Sequence, residues 1–222
     1  MGIPVLILGA SGTGKTYALK TLKLEEYGLI SVEKTTLPFL SKKKFAHKKD
    51  FDGIRAAIEA YAEAYHCVVV DDLGYAVVDL FMQHIYDRDQ YTIYKSIAEE
   101  LYKTIEFVND LDDDAVVYIT FHIDVDAAGS IVPKILGKMV NEKIELQGMC
   151  NFVFLAEIVD GEHVFIVDGK PPAKSIEGVF NEPTQPNDLQ AIDSAIRDAM
   201  GLKPRGASTK ANKTTKKGTD NA

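Results

Sequence analysis

Residues Gly9-Ala10-Ser11-Gly12-Thr13-Gly14-Lys15-Thr16 spell G-x-x-x-x-G-K-S/T between the apolar run Ile3–Leu8 and a helix-forming stretch from about Lys15 to Glu25. Such a stretch must leave a strand, turn tightly and enter a helix. The glycines let backbone N–H groups curl around an anion, and the element that starts there turns its positive end toward it. Lys15 can reach the terminal phosphates of a nucleotide, and the Thr16 hydroxyl can ligate Mg²⁺. All eight positions are therefore candidate nucleotide-binding residues, with Lys15 also a candidate catalytic one.

At 222 residues the chain is long enough for one well-buried domain. No run approaches the ~18 apolar residues of a membrane span, and the N-terminus enters a strand without a basic, cleavable leader. Cys67 and Cys150 sit in or beside apolar stretches, which suits buried free thiols in an intracellular, cytoplasmic protein. The net charge of −8 is unevenly spread. Lys203, Arg205, Lys210, Lys213, Lys216 and Lys217 face only Asp220 in a Gly/Ser/Thr/Asn-rich end without a buried-core composition. The expected organisation is a folded body over 1–202 and a disordered basic tail over 203–222. That tail is either a solubility element or a nucleic-acid contact.

Short apolar runs alternate with amphipathic stretches, the pattern of an α/β protein with a mostly parallel sheet flanked by helices. Strands are expected at Ile3–Leu8, Gly28–Val32, Cys67–Val70 and Ala115–Phe121. Helices are expected over Asp52–Tyr65, Ala76–Tyr86 and Tyr91–Asn109, the last with a core stripe of Ile93, Ile97, Leu101, Ile105 and Val108. Ile123–Val132 reads as a loop, and Pro133–Asn141 as a helix or turn region. Phe152–Val159 and His163–Asp168 flank Asp160-Gly161 as a C-terminal β-hairpin addition. A Pro-rich extended stretch precedes a last helix, Asp188–Met200, with Asn187 as its N-cap and Gly201 as its stop.

A phosphate loop binds; hydrolysis needs an acidic element. Val68-Val69-Val70-Asp71 has the form of a Walker B strand, delivering Asp71 to hold Mg²⁺ opposite Thr16. Two carboxylates compete to orient the attacking water. Glu33, at the end of the second strand, has the longer reach and is favoured; Asp72 is the alternative. His122, ending the fourth strand, is a candidate γ-phosphate sensor, and Thr120 a weaker one. Lys134 and Lys138, after that strand, are candidate DNA contacts with Lys210, Lys213, Lys216 and Lys217 of the tail.

Asp71-Asp72-Leu73-Gly74 fits the GTPase D-x-x-G, but no N/T-K-x-D guanine motif follows. Four arginines, Arg55, Arg88, Arg197 and Arg205, are few for a small-molecule kinase that clamps two phosphorylated substrates. One short helix past the prolines is too little for the lid of a remodelling AAA-type ATPase. A RecA-like P-loop NTPase core with an added hairpin is what survives. The chain resembles the phage-encoded P-loop nucleotide-binding proteins, small RecA-like ATPases grouped with phage single-strand annealing proteins. The matching stretches are Ile3–Thr16, Val68–Asp72, Gly137-Lys138-Met139-Val140-Asn141-Glu142-Lys143, Phe152–Glu157 and Ala173-Lys174-Ser175 through Pro186-Asn187-Asp188-Leu189. The resemblance spans residues 3 to about 200. It implies a role in phage DNA replication or recombination in the host cytoplasm, with ATP, Mg²⁺ and single-stranded DNA as ligands. The expected partners are further copies of the chain and single-strand DNA-binding or other phage replication proteins. The alternative functions are a nucleotide-sensing adaptor that does not use hydrolysis and, further off, a small-molecule kinase.

Overall fold

The run Val68-Val69-Val70 has no polar face to offer water, so it needs cover on both sides. The computed structural model, which describes residues 1–34, 36–86, 90–111, 114–137, 140 and 144–206, supplies that cover. The strands are β1 (Ile3–Leu8), β2 (Gly28–Ser31), β3 (Ala46–His47), β4 (Cys67–Asp71), β5 (Val116–Phe121), β8 (Phe152–Val159), β9 (Glu162–Ile166) and β10 (Thr184–Pro186). They form one eight-stranded sheet in the order β10-β9-β8-β1-β5-β4-β2-β3. Pairing is parallel from β8 through β3 and antiparallel at β8–β9 and β9–β10.

Alternate residues of the central strands feed two cores. Leu6, Leu8, Val68, Val70, Val117 and Ile119 meet the helices α1 (Phe51–Tyr65), α2 (Gly74–Gln83) and α3 (Gln90–Asn109). Val5, Ile7, Val69 and Tyr118 face the other way, against a 3-10 turn at Tyr17–Thr21 and α5 (Leu189–Met200). The stripe Ile93, Ile97, Leu101, Ile105 and Val108 of α3 is buried, as its helical spacing requires. Asp50 caps α1 by accepting from the Gly53 N–H, and His66 ends it in the left-handed region at φ 57°.

Four expectations are corrected. The stretch Lys15–Glu25 is not an α-helix but the 3-10 turn alone, followed by Leu22 at an extended ψ of 138°. Ala18, Leu19 and Leu22 already anchor it in the core, and Thr21 Oγ1 donates to the Ala18 carbonyl at 2.8 Å, tightening the last turn. Ile123–Val132 is not a plain loop: β6 (Ile123–Val125) and β7 (Ile131–Pro133) pair antiparallel around Asp126, which accepts from the Ala128 and Ser130 N–H groups. The expectations also missed β3 and the short helix α4 (Leu146–Met149). Finally, Asp188 rather than Asn187 caps α5, accepting from the Ala191 N–H at 3.0 Å.

The expected tail begins attached to the body. Lys203 pairs with Asp114, the Gly206 N–H donates to the Tyr65 carbonyl, and Arg205 reaches Glu26 and Asp193. Asp193 is 0% exposed and accepts from Tyr118 Oη at 2.9 Å, Arg197 Nε at 2.7 Å and an Arg205 guanidinium N–H at 2.6 Å. Arg197, 3% exposed, also donates to the carbonyls of His66, Asp114 and Lys203. This buried network ties α5 to the chain between α1 and β4 and to the chain before β5. Replacing Arg197 by Ala leaves Asp193 buried with one fewer counter-charge and three carbonyls short of a donor. The expected loss is about 3–5 kcal/mol of stability in a urea titration, with the larger share removed by that buried ion pair.

Candidate nucleotide site

The loop leaves β1 at the carboxyl edge of the sheet, where the ends of β4, β5 and β2 also gather. Its glycines meet separate demands. A Cβ on Gly9 would stand 2.5 Å from Thr13 Oγ1 and 2.8 Å from the Ala156 carbonyl. Gly12 and Gly14 take φ of +81° and +101°, which side chains disfavour. Thr16, two residues on, is already in the right-handed helical region at φ −72° and ψ −29°.

Lys15 is only 5% exposed, and its ammonium is surrounded by three acceptors: the Gly9 carbonyl at 2.8 Å, the Ala10 carbonyl at 2.9 Å and His122 Nδ1 at 3.4 Å. Burial lowers its pKa, and the charges of Asp72 and Asp71 oppose that shift. Because the ammonium has only hydrogens to offer, Nδ1 of His122 is the acceptor and its proton sits on Nε2. That nitrogen lies 3.5 Å from Asp72 Oδ1. Burial, then Lys15 and Lys134, push the His122 pKa down, so the ring is neutral at neutral pH. The structure thus sets His122 between the loop lysine and Asp72.

The loop strand and the acid-ending strand are not neighbours, since β5 runs between them. Thr120, next to last in β5, closes the gap. Its hydroxyl donates to Asp71 Oδ1 at 3.0 Å and accepts from the Asp72 N–H at 2.7 Å. At 1% exposure its hydroxyl is spent on holding the two aspartates. Thr16 Oγ1 stands 3.0 Å from both carboxylate oxygens of Asp71. Burial, with Asp72 adding to it, raises Asp71 to about 6 despite the hydroxyls of Thr16 and Thr120 and the Lys15 charge.

Asp72 follows in the left-handed region at φ 59°, with a buried Oδ1 that lacks a hydrogen-bond partner of good geometry among the described residues. The 3.5 Å approach of His122 to that atom is longer than a hydrogen bond and acts as a charge–dipole contact. Burial raises the Asp72 pKa; Lys15 lowers it and Glu33 raises it, which puts Glu33 within charge range. Glu33 lies two residues beyond the end of β2, its carbonyl accepting from Ser31 Oγ. Lys134 is exposed, with its N–H donating to the His122 carbonyl at 2.7 Å. Lys138, Lys210, Lys213, Lys216 and Lys217 lie outside the described residues.

The donor set suits a hard divalent cation. Thr16 and Asp71 offer a hydroxyl and a carboxylate side by side, and Asp71 is otherwise held ionised against its burial. Among the described residues no group of three or more His, Cys, Asp or Glu could hold a metal unaided. A cation here needs water and ligand phosphates to complete its shell, as Mg²⁺ does.

Two residues at the site were missed by sequence reasoning. His163 Nδ1 lies 3.1 Å from the Thr13 carbonyl, and Asn187 Nδ2 donates to the Gly14 carbonyl at 3.3 Å. The doublet Asn187-Asp188 held a signal: one capping residue suffices for α5, so the other is free for a different partner. Nothing local marks His163.

Loop, sheet order and acidic strand end together are those of a P-loop NTPase-like fold. No protein-family model matches the chain, and no curated protein matches it. Among solved structures it is similar to the Legionella pneumophila ATPase DotB, at 14% identity and a TM-score of 0.38. That similarity covers 92% of this chain and 53% of DotB, so the chain spans about half the length of that protein. No described helix is long and apolar enough to cross a membrane.

Asp71 titrates higher when folded than unfolded, so its contribution is greatest below pH 4 and is lost as pH rises through about 6. Asp71→Asn removes a costly buried charge, and without ligand should raise stability at pH 7.5 by about 1–2 kcal/mol. At pH 4, where the wild-type carboxyl is protonated, the two proteins should melt together in a thermal scan.

Proposed function

We propose that the chain is a RecA-like ATPase that binds Mg²⁺–ATP at the 9–16 loop and hydrolyses it. The observation that supports this reading best is the join of Thr16 to Asp71, because it sets a loop hydroxyl and a strand-end carboxylate at one point. The core strand order, β8-β1-β5-β4-β2, with a strand between the loop strand and the acidic one, accords with that class. When bound, Mg²⁺ would draw charge from the β- and γ-phosphates. Thr16 and Asp71 hold it; the loop N–H groups and Lys15 hold the phosphates. Lys15 leaves the Gly9 and Ala10 carbonyls to do so, exchanging two neutral acceptors for a charged one.

For the water-orienting carboxylate the geometry favours Asp72 over Glu33. Asp72 acts on the Lys15 charge more strongly than Asp71 does, while Glu33 is not among the groups that move it. Its buried Oδ1 faces the Nε2 side of His122, which can steady it and sense the γ-phosphate. The resemblance supports single-stranded DNA as a ligand and phage DNA replication or recombination as the setting. Lys134, beside His122 on the same sheet edge, could couple a bound DNA phosphate to the site.

Phosphate release from ATP, with and without single-stranded DNA, tests the reading. Lys15→Ala should abolish turnover, and Asp72→Asn should lower kcat about a hundredfold or more with little change in KM. Glu33→Gln should stay within a few-fold of wild type; if it falls as far as Asp72→Asn, the two carboxylates exchange roles. Turnover untouched by Lys15→Ala would overturn the ATPase reading. Binding of ATP without turnover in any variant would leave the adaptor function. DNA that neither binds nor raises turnover would remove the DNA role.

A further inference from the structure

The chain returns to the loop from its far end. His163, the second residue of β9, and Asn187, the first after β10, are joined by an Asn187 N–H donated to the His163 carbonyl at 3.2 Å. Both side chains then grip consecutive peptide groups of the loop. His163 Nδ1 meets the Thr13 carbonyl at 3.1 Å, and Asn187 Nδ2 the Gly14 carbonyl at 3.3 Å. A carbonyl only accepts, so Nδ1 carries the hydrogen in this contact.

In a trans peptide the carbonyl of one residue and the N–H of the next point in opposite directions. Holding the Thr13 carbonyl on His163 therefore turns the Gly14 N–H away from β9. The Gly14 carbonyl, shared by Asn187 Nδ2 and the Ala18 N–H at 3.0 Å, in the same way turns the Lys15 N–H away from β10. We infer that His163 and Asn187 are positioning residues of the phosphate site, fixing the Gly14 and Lys15 N–H groups toward the bound anion before it arrives. The inference rests on the loop being the nucleotide site.

The grip is close and braced. A Cβ on Gly14 would come within 3.0 Å of His163 Nδ1 and 3.2 Å of Asn187 Nδ2 and press on both, at a residue whose φ of +101° already disfavours a side chain. The Tyr17 ring packs on His163 with centroids 5.7 Å apart. Directly after Asn187 the cap of α5 begins, and the Gln190 N–H donates to Thr21 Oγ1 at 3.2 Å. The turn holds the Gly14 carbonyl through the Ala18 N–H at 3.0 Å, Asn187 adds a second donor to it, and His163 brings the arm's donor to the Thr13 carbonyl. Pre-setting the amides removes an ordering cost from ligand binding.

The experiment measures ATP and pyrophosphate affinity for wild type, Lys15→Ala, His163→Leu, His163→Asn and Asn187→Leu, with ligand-free melting as a folding control. His163→Leu and Asn187→Leu should each weaken both ligands about tenfold, a loss of about 1.4 kcal/mol. The ligands should suffer alike because the amides face phosphate and not the base. His163→Asn keeps an N–H near the Nδ1 position and should recover most of the affinity, which a mere packing role would not predict. Amide NMR of the wild type gives a test free of variants: pyrophosphate should shift the Gly14 and Lys15 N–H resonances strongly. Leucine variants that bind pyrophosphate like wild type, His163→Asn as weak as His163→Leu, or unmoved Gly14 and Lys15 amides would each overturn the inference while leaving the site reading intact. Wild type that binds neither ligand would overturn the site reading, and the inference with it.

Discussion

The carboxylate of Asp71 is the point on which the rest of the site hangs. Neighbouring strands lie about 4.8 Å apart, so with β5 between them β1 and β4 stand about 10 Å apart. Backbone pairing cannot join them. Two hydroxyls do: Thr16 from the loop and Thr120 from the intervening strand, both on the same acid. Burial pushes that carboxyl up to about 6, and the two hydroxyls hold it back toward the ionised form a cation needs. Thr120 also takes the Asp72 N–H, so the hydroxyl that seats Asp71 also holds the left-handed turn at Asp72.

Around this bridge the loop is held from two sides. Lys15 and His122 tie its inner side to the end of β5, with Asp72 beyond. His163 and Asn187 tie its outer side to the C-terminal arm. The arm itself is fixed at its other end by Asp193, Arg197 and Arg205. A residue near position 200 thereby belongs mechanically to a site near position 15. The last helix thus braces the loop without adding a group to the proposed chemistry.

Much of the frame was legible because it rests on period. The apolar runs at β1, β4 and β5 and the stripe of α3 lie where their spacing puts them, since each must bury a face. The glycines and Lys15 were legible because a phosphate loop imposes residue types at each position. The short turn after Thr16 was not. Lys15–Glu25 has helix-forming composition, but three buried anchors and the demand to reach Gly28 for β2 end it early. Gly28 must then lie against Tyr61, where a Cβ would sit 2.3 Å from the ring, so the path is fixed by packing far along the chain.

The sequence by itself determined that 9–16 would turn as a glycine-rich loop and that Asp71 would reach the same sheet edge. Both follow from local geometry: glycines that permit positive φ, and an apolar strand that must end where its carboxylate begins. Only the tertiary structure decided which groups share that edge. It committed Thr120 to the aspartates, brought Asp72 within charge range of Lys15, freed Asn187 from its capping role and drew Arg205 out of the tail into a buried network. Each of these turns on distances between residues dozens of positions apart, and those distances exist only once the strands have taken their order in the sheet.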